Sequence, residues 1–478
     1  MKGSLKQRRA KIVCTIGPAT SSPEALDRLV REGMDVARLN FSHGSPAEHA
    51  QRVAAVRRAG MRHEKPVAIL ADLQGPKIRT GVLAGGRAIE LCSGQRLTIT
   101  TENVPGTQGR ISTNFRPLAA AVRRGDRILL SDGEIELRVE RVRGREILCR
   151  VVNGGRLGEH QGINLPGVKL RVPSLTPKDR RDLGVALGLG VNYVALSFVR
   201  TAADVRAAKS AIARAGKKTP LIAKLEKPEA LDNLDEILSA ADGVMVARGD
   251  LGVEMGPEKV PVAQKRIIAR ARDFLLPVIT ATQMLDSMKD NPRPTRAEAS
   301  DVANAIFDGS DALMLSGETA VGHYPFAAVA MMDRIIREAE ASISHPPLPQ
   351  RIENLRVNET IAETVCHAAE ELCLKLVAVF TESGSSARLI SKYRPRAPII
   401  AFSQNAETRR KMSLYWGVTP RSIQRVADID ELAAIAEKRL GEEKLVRRGD
   451  VIALVAGTPF GVPGTTNFLK FHVIGSAK

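Results

Sequence analysis

Short apolar runs recur along the chain at 11–16, 36–40, 67–72, 193–198, 221–226, 243–248, 277–282 and 312–316. Runs this short and nearly continuous predict strands buried on both faces rather than helices. Most of the gaps between them carry a helical period, and several open on a cap: Ser22 before Pro23, Ser45 before Pro46 with Glu48, and Thr295 with Glu298. The hydroxyl accepts from a free first-turn amide, proline fits the first helical position, and the acid closes the capping box. Strands alternating with capped helices imply a parallel sheet covered on both sides, and this number of them fits a (β/α)8 TIM barrel.

The spacing breaks once. Between Asp72 and Tyr193 lie about 120 residues, far more than one crossover needs. Within that interval, runs at 87–91, 96–100, 127–131, 135–141 and 146–152 alternate apolar and polar residues, punctuated by Gly85-Gly86, Asp132-Gly133 and Gly154-Gly155. Such alternation predicts an inserted all-β domain, a β-barrel over 73–167. Inserted at the carboxyl end of a barrel strand, it would lie over the active-site face as a lid.

His345-Pro346-Pro347-Leu348-Pro349 marks the next boundary, because prolines in a polar run stop a helix. Beyond it, an amphipathic helix over 357–374 and strands at 376–380, 398–402, 451–455 and 468–474 predict a third, α/β domain. The expected division is barrel over 1–72 and 168–345, lid over 73–167, and carboxyl-terminal domain over 346–478.

Charge and composition narrow the function. Lys and Arg number 71 against 53 Asp and Glu, a net charge of +18 that suits anionic ligands. The 11 Phe, 4 Tyr and 1 Trp do not interleave with a basic tract, so stacking on nucleic acid is not signalled. The cysteines, Cys14, Cys92, Cys149, Cys366 and Cys373, form an odd set without metal-ligand spacing, as in a reducing compartment. The basic start of the chain passes into a strand with no apolar signal core, and no run approaches membrane-spanning length. A cytoplasmic protein without a membrane partner is expected.

In a barrel of this kind, the polar residues at strand carboxyl ends form the site. Those ends supply Arg38, Asn40 and Ser42, then Asp72, Lys77 and Arg79, then Lys224 and Glu226, Gly249 and Asp250, Thr282, and Ser316 and Glu318. Alternation places Lys224 and Glu226 on one face. Burying such charges requires a counter-charge, a metal or a substrate. Glu226 and Asp250 offer the oxygen ligands of a hard divalent cation, Mg2+ or Mn2+.

Beside that ion, Lys224 would stabilise negative charge on an enolate or on a phosphoryl group in transfer. A Schiff base is the other use of a buried lysine, but a carboxylate two residues away keeps the amine charged. Gly249 lets backbone N–H groups face an anion. No GxxxxGK[ST] loop is present, so a P-loop machine is not supported. Two rivals follow from the same residues: a metal-dependent barrel aldolase or lyase acting through an enolate, and a basic nucleic-acid-binding protein.

Six longer motifs occur in order: ARLNFSHG (37–44), DLQGPKIRTG (72–81), KLEKPEAL (224–231), MVARGDLGVE (245–254), ATQMLDSM (281–288) and SDVANAIFDGSDALMLSGETAVGHYP (300–325). In these the chain resembles the pyruvate kinase family over nearly its whole length. The resemblance implies phosphoryl transfer from phosphoenolpyruvate to ADP, Mg2+ or Mn2+ as cofactor, and a homotetramer with a regulatory carboxyl-terminal domain.

By motif position, Arg38 would bind the transferring phosphate and Lys224 would stabilise the enolate and the phosphoryl group. Glu226 and Asp250 would ligate the divalent cation, with Ala247 and Gly249 beside the substrate carboxylate. Thr282 would contact substrate and help protonate the enolate, directly or through water. Arg79, His43 and Asn40 would lie on the nucleotide side, with a second Mg2+ arriving on ADP.

Asn40, Ser42 and Asp72 would form a monovalent-cation site or its remnant. Many potassium-requiring members read DTKGPEIRTG where this chain has DLQGPKIRTG. Leu73 replaces a threonine of the ion site and Lys77 replaces a glutamate, so the tethered ammonium is expected to stand in for K+. The loop of Thr381, Ser383, Gly384, Ser385 and Ser386 resembles the family's effector phosphate loop. Glu382 and the missing basic residue at Ser385 disfavour fructose bisphosphate and leave a sugar monophosphate or a nucleotide as effector class.

Overall fold

The computed structural model describes residues 8–168, 172–344, 346, 348–350, 356–424, 429–458 and 466–476. Lys11–Thr15, Val36–Asn40, Ala68–Asp72, Tyr193–Leu196, Leu221–Leu225, Gly243–Ala247, Val278–Ala281 and Ala312–Leu315 close into a parallel barrel in sequence order. All eight expected runs contain these strands; six end one or two residues early, three of them for evident local reasons. Phe198 at φ +54° and Thr282 at φ +72° leave extended backbone, while Arg248 opens the helix Arg248–Met255.

The capping signals act as expected. Ser22 Oγ accepts from Ala25 N at 3.2 Å, and Ser45 with Glu48 and Thr295 with Glu298 bond reciprocally. Each cap fixes where the chain turns from a strand end into the next helix, and so which residues are left in the loop between.

The inserted segment is all-β apart from short helical turns at Ala84–Gly86, Leu118–Ala121 and Ser131–Gly133. Its sheet runs in the order Ile163–Asn164, Arg127–Leu130, Ile135–Arg143, Glu146–Asn153, Arg96–Thr100, Arg110–Ser112, beside a two-stranded ribbon of Gly155–Leu157 and Ile89–Leu91. The segment 78–81 runs between the two edges of this sheet: Arg79 bridges to Gly162 beside Ile163–Asn164, and Thr80 bridges to Thr113 beside Arg110–Ser112. The alternating apolar positions, among them Leu97, Ile99, Ile128, Leu137, Val139 and Ile147, form this unit's own core.

The carboxyl-terminal sheet has the order Val418–Ser422, Ile399–Ser403, Leu376–Phe380, Val451–Gly457, Thr466–Val473, parallel except for the last strand. Of the proline-rich boundary stretch, His345 and Pro347 lie outside the described residues. This domain packs on the amino-terminal mouth of the barrel. Val13, Tyr193, Ile222 and Ile279 from the barrel interior share one core with Val377, Leu389, Ile399 and Leu414.

A buried ion triad joins the two bodies. Asp311, just ahead of the last barrel strand, meets Lys392 Nζ at 2.7 Å and Arg394 Nη2 at 3.1 Å. With one mouth sealed, the carboxyl-terminal mouth under the lid is the open end of the barrel. No helix among the described residues is long and apolar enough to cross a membrane.

Candidate active site

Three strand ends converge beneath the lid. Arg38, on the second barrel strand, points its Nε at Asp72 Oδ2 at 2.7 Å and its Nη1 at Thr15 Oγ1 at 3.0 Å. Lys224 Nζ lies 2.9 Å from Glu226 Oε1, 3.0 Å from Asp72 Oδ1 and 2.7 Å from Ser197 Oγ. The shared face expected for Lys224 and Glu226 is realised as a direct ion pair. The contact to Asp72 Oδ1 has ion-pair distance without hydrogen-bond alignment, so this buried oxygen has no hydrogen-bond donor among the described residues.

Electrostatics sort these groups. Burial would push the Lys224 ammonium down, but the charges of Asp72 and Glu226 outweigh it and hold the amine protonated well above its usual range. Burial pushes Asp72 up, yet Lys224 and Arg38 prevail and keep it below the carboxylate range. Glu226 is only 1% exposed, and its Oε2 accepts from Phe198 N at 2.7 Å. For this side chain burial wins over Lys224, the charge of Asp250 adds to it, and the pKa moves upward. A buried carboxylate pressed by a second one is the situation a hard divalent cation relieves.

The residues therefore fit Mg2+ held by Glu226 and Asp250. Among the described residues no set of three or more His, Cys, Asp or Glu side chains converges as a cage. Further ligands would accordingly be substrate oxygens and water, as is usual for this ion.

Thr282 sits at φ +72°, a strained conformation for a β-branched residue. Its Oγ1 accepts from Gly249 N at 2.7 Å and donates to Ala281 O at 2.6 Å. Arg248 holds that strain in place: Nη2 donates to Thr282 O at 2.7 Å and Nη1 pairs with Asp301 at 2.7 Å. Ala247 is buried at the end of its strand, next to this turn.

On the lid side, Arg79 Nη1 donates to His160 O at 2.8 Å. Burial and the charges of Arg79, Lys77, Arg38 and Lys178 push the His43 imidazole below its usual pKa. Asn40 Oδ1 accepts from Ser42 N at 3.1 Å, and Phe41 N donates to Asp72 O at 2.9 Å. Lys77 and Asp250 line one cleft between lid and barrel. Lid and barrel also touch at Glu254 Oε1, which receives Asn164 Nδ2 at 3.0 Å and Lys227 Nζ at 2.6 Å.

Three candidates lie elsewhere or serve another purpose. Glu318 accepts from Leu285 N at 3.1 Å and Ser316 N at 2.7 Å, so its carboxylate braces two loops. The loop of Thr381, Ser383, Gly384, Ser385 and Ser386 belongs to the carboxyl-terminal domain. There Gly384, at φ +86°, donates to Thr381 Oγ1 at 3.0 Å, and the hydroxyls of Ser383 and Ser385 are 3.0 Å apart. Burial pushes the thiols of Cys14 and Cys366 up and that of Cys149 up to about 12, which removes these three as nucleophiles at neutral pH.

Thr15, Ser197, the Phe198 amide and Arg248 are site residues that the strand-end reading passed over. Thr15 and Ser197 follow from the same rule applied to the first and fourth strands. Arg248 carries no such local signal, because its partner Asp301 lies 53 positions away.

The pattern described as "Pyruvate kinase, barrel domain" matches residues 7–329, and "Pyruvate kinase, alpha/beta domain" matches 359–472. The chain belongs to the pyruvate kinase family. The pyruvate kinase of Staphylococcus saprophyticus is 47% identical over 475 residues, spanning 98% of this chain and 81% of that protein. The pyruvate kinase of Mycobacterium tuberculosis is 46% identical over 473 residues, 98% of this chain and 99% of the other. The crystal structure of a pyruvate kinase from Cryptosporidium parvum superposes with a TM-score of 0.91 at 38% identity, covering 98% of this chain and 97% of that one.

As a pyruvate kinase, this enzyme is a phosphotransferase of glycolysis. It moves the phosphoryl group of phosphoenolpyruvate to ADP, giving pyruvate and ATP, and depends on Mg2+ as its family does. That reaction sets aside the enolate-lyase reading of the same residues.

Proposed function

We propose that pyruvate kinase chemistry runs on Arg38, Lys224 and Thr282 with the divalent ion on Glu226 and Asp250. The observation that carries this is the placement of the Lys224 amine between Asp72, Glu226 and Ser197, where the two carboxylates favour its charged form. A lysine so held cannot offer the free amine a Schiff base needs, but it can face an anion. Arg38 binds the phosphate of phosphoenolpyruvate, oriented by Asp72 and Thr15. Ala247 and the Gly249 amide lie beside the substrate carboxylate.

Lys224 meets the oxygens on which charge grows as the phosphoryl group leaves and the enolate forms. Bound Mg2+ supplies positive charge to the substrate's anionic oxygens. Thr282, its hydroxyl fixed by Gly249 and Ala281, delivers or relays the proton that completes pyruvate. Arg79, His43 and Asn40 receive the ADP phosphates, and the lid excludes the water that would compete as acceptor.

The finer features of this member are part of the same proposal. The domains divide at 1–72 with 168–345, 73–167 and 346–478; the chain works in the cytoplasm as a homotetramer; and the loop from Thr381 to Ser386 takes a sugar monophosphate or a nucleotide as allosteric effector. The Asn40, Ser42 and Asp72 site is a remnant that needs no potassium. Asp72 already has two cationic partners, and the Lys77 charge reaches His43.

Pyruvate release from phosphoenolpyruvate tests the set. It must require both ADP and Mg2+, and proceed at rates within about twofold in sodium, potassium and tetramethylammonium buffers. Turnover without ADP overturns the site assignment. A potassium-specific gain of about tenfold or more overturns the role given to Lys77.

A further inference from the structure

Away from the active site, the barrel and the carboxyl-terminal domain enclose a cavity of about 960 Å³. Its barrel wall is the end of the helix Pro46–Arg62 and the turn after it. The opposite wall is the helix Ala406–Met412, the strand Val418–Ser422 and the end of the helix Ile429–Glu442. Arg57, Lys65, Arg409, Arg410, Arg421 and Arg439 line it.

Three of these cations are neutralised within the protein. Lys65 pairs with Asp35 at 3.1 Å, Arg421 with Glu443 at 2.8 Å and Arg439 with Glu442 at 4.0 Å. The other three have no carboxylate partner among the described residues. Arg57 donates to the carbonyls of Leu189 and Gly190 at 3.0 and 2.8 Å, and Arg409 to those of Ser403 and Gln404, both at 2.7 Å. Carbonyls satisfy N–H groups without cancelling charge.

Arg57 Nε and Arg410 Nε are both buried with no hydrogen-bond partner among the described residues. Burial, and after it the charge of Arg57, depress the Arg410 guanidinium pKa, so two like charges from different domains face each other. Glu407, whose charge also reaches Arg410, is itself held by Lys411 at 2.9 Å. Among the wall's other acids, Glu442 and Glu443 are the partners already named and Glu64 is exposed.

Unneutralised guanidiniums with idle donors are the arrangement that a phosphate recruits, because the planar fork matches its oxygens and a dianion cancels the repulsion. The space is within the range of small-ligand cavities and exceeds what one phosphate fills. Val56, Met61, Val67 and Leu445 give the rest of it an apolar lining. We propose that this interdomain cavity is a second anion site, which binds a small phosphate monoester with its phosphate between Arg57 and the Arg409–Arg410 pair. It differs in place and residues from the active site and from the loop of Thr381 to Ser386.

The test is thermal shift of the full chain at saturating phosphoenolpyruvate and Mg2+ without ADP, which keeps the active site filled. Inorganic phosphate, glycerol 3-phosphate and glycerol are titrated in separate arms. The proposal expects both phosphates to raise Tm, glycerol 3-phosphate at the lower concentration, and glycerol to do nothing. Arg410→Gln should raise the half-maximal concentration at least about tenfold, and Arg57→Gln is the second variant should the first fail to fold. A half-maximal concentration within about twofold of wild type in a folded variant overturns the site, as does an equal response to glycerol.

Discussion

Lys224→Met lowers kcat about 10³-fold while the KM for phosphoenolpyruvate changes by less than about threefold. Methionine keeps the length of the stem and removes only the charge, so under the proposed assignment substrate should still dock on Arg38 and the Gly249 turn. What is lost is the ammonium facing the oxygens that gain charge in the transition state. The substitution also leaves Asp72 and Glu226, each 1% exposed, without their shared cation. Removing one member of a buried ion cluster costs about 3–5 kcal/mol, although Arg38 remains on Asp72 and softens the loss. The variant should therefore melt earlier in EDTA and recover part of the difference in Mg2+. Steady-state kinetics and melting curves read both effects, and a kcat fall of less than about tenfold contradicts the role given to the amine.

The second large effect lies at the opposite mouth of the barrel. Asp311→Ala strips the carboxylate from Lys392 and Arg394, which are 2% and 5% exposed, and takes the acceptor from Val278 N, 2.8 Å away. A loss of about 3–5 kcal/mol is expected, seen as a lower midpoint in urea and as separation of barrel and carboxyl-terminal transitions.

The pH dependence carries its own sign. Burial outweighs Asp311 and already pushes Lys392 down to about 8. A lysine depressed in the folded state carries a penalty that is full below its folded pKa. The penalty fades as pH rises toward the unfolded value of about 10.4, because there the unfolded chain binds more protons. Without the carboxylate the folded pKa falls further, so the stability of Asp311→Ala should rise between about pH 7 and 8 where wild type stays flat. Asp311→Ala with Lys392→Met should recover part of the midpoint. Equal stability of Asp311→Ala and wild type contradicts the triad as a junction, and kcat of the folded variant should stay within about threefold of wild type.

These two regions differ in how far the sequence reveals them. Lys224 and Glu226 are legible because strand alternation is local: two residues on one face of one strand need no partner to be read as a pair. Asp72, Gly249 and Thr282 follow from the rule about strand ends, and the same rule reaches Thr15 and Ser197 once every strand is counted. Arg248 and the triad of Asp311, Lys392 and Arg394 escape, because their meaning lies in partners 53 to 83 residues away.

The fold shows the same split. Buried barrel strands announce themselves as continuous apolar runs, and capping boxes mark the start of several helices, Pro46–Arg62 and Arg296–Asp308 among them. Val418–Ser422 does not, because Pro420 argues against a strand and is tolerated only through its place on the sheet edge. Arg110–Ser112, Gly155–Leu157 and Ile163–Asn164 in the lid are also invisible, since two or three residues carry no period.

The proposed chemistry depends on a divalent ion shared by Glu226 and Asp250 in front of Lys224. Electron paramagnetic resonance of Mn2+ titrated into the enzyme at saturating phosphoenolpyruvate measures that ion directly. Wild type should show one tight site per chain, and Glu226→Gln and Asp250→Asn should each weaken it by about 10- to 100-fold with the fold retained. Unchanged Mn2+ affinity in both folded variants would place the ion elsewhere and contradict the site.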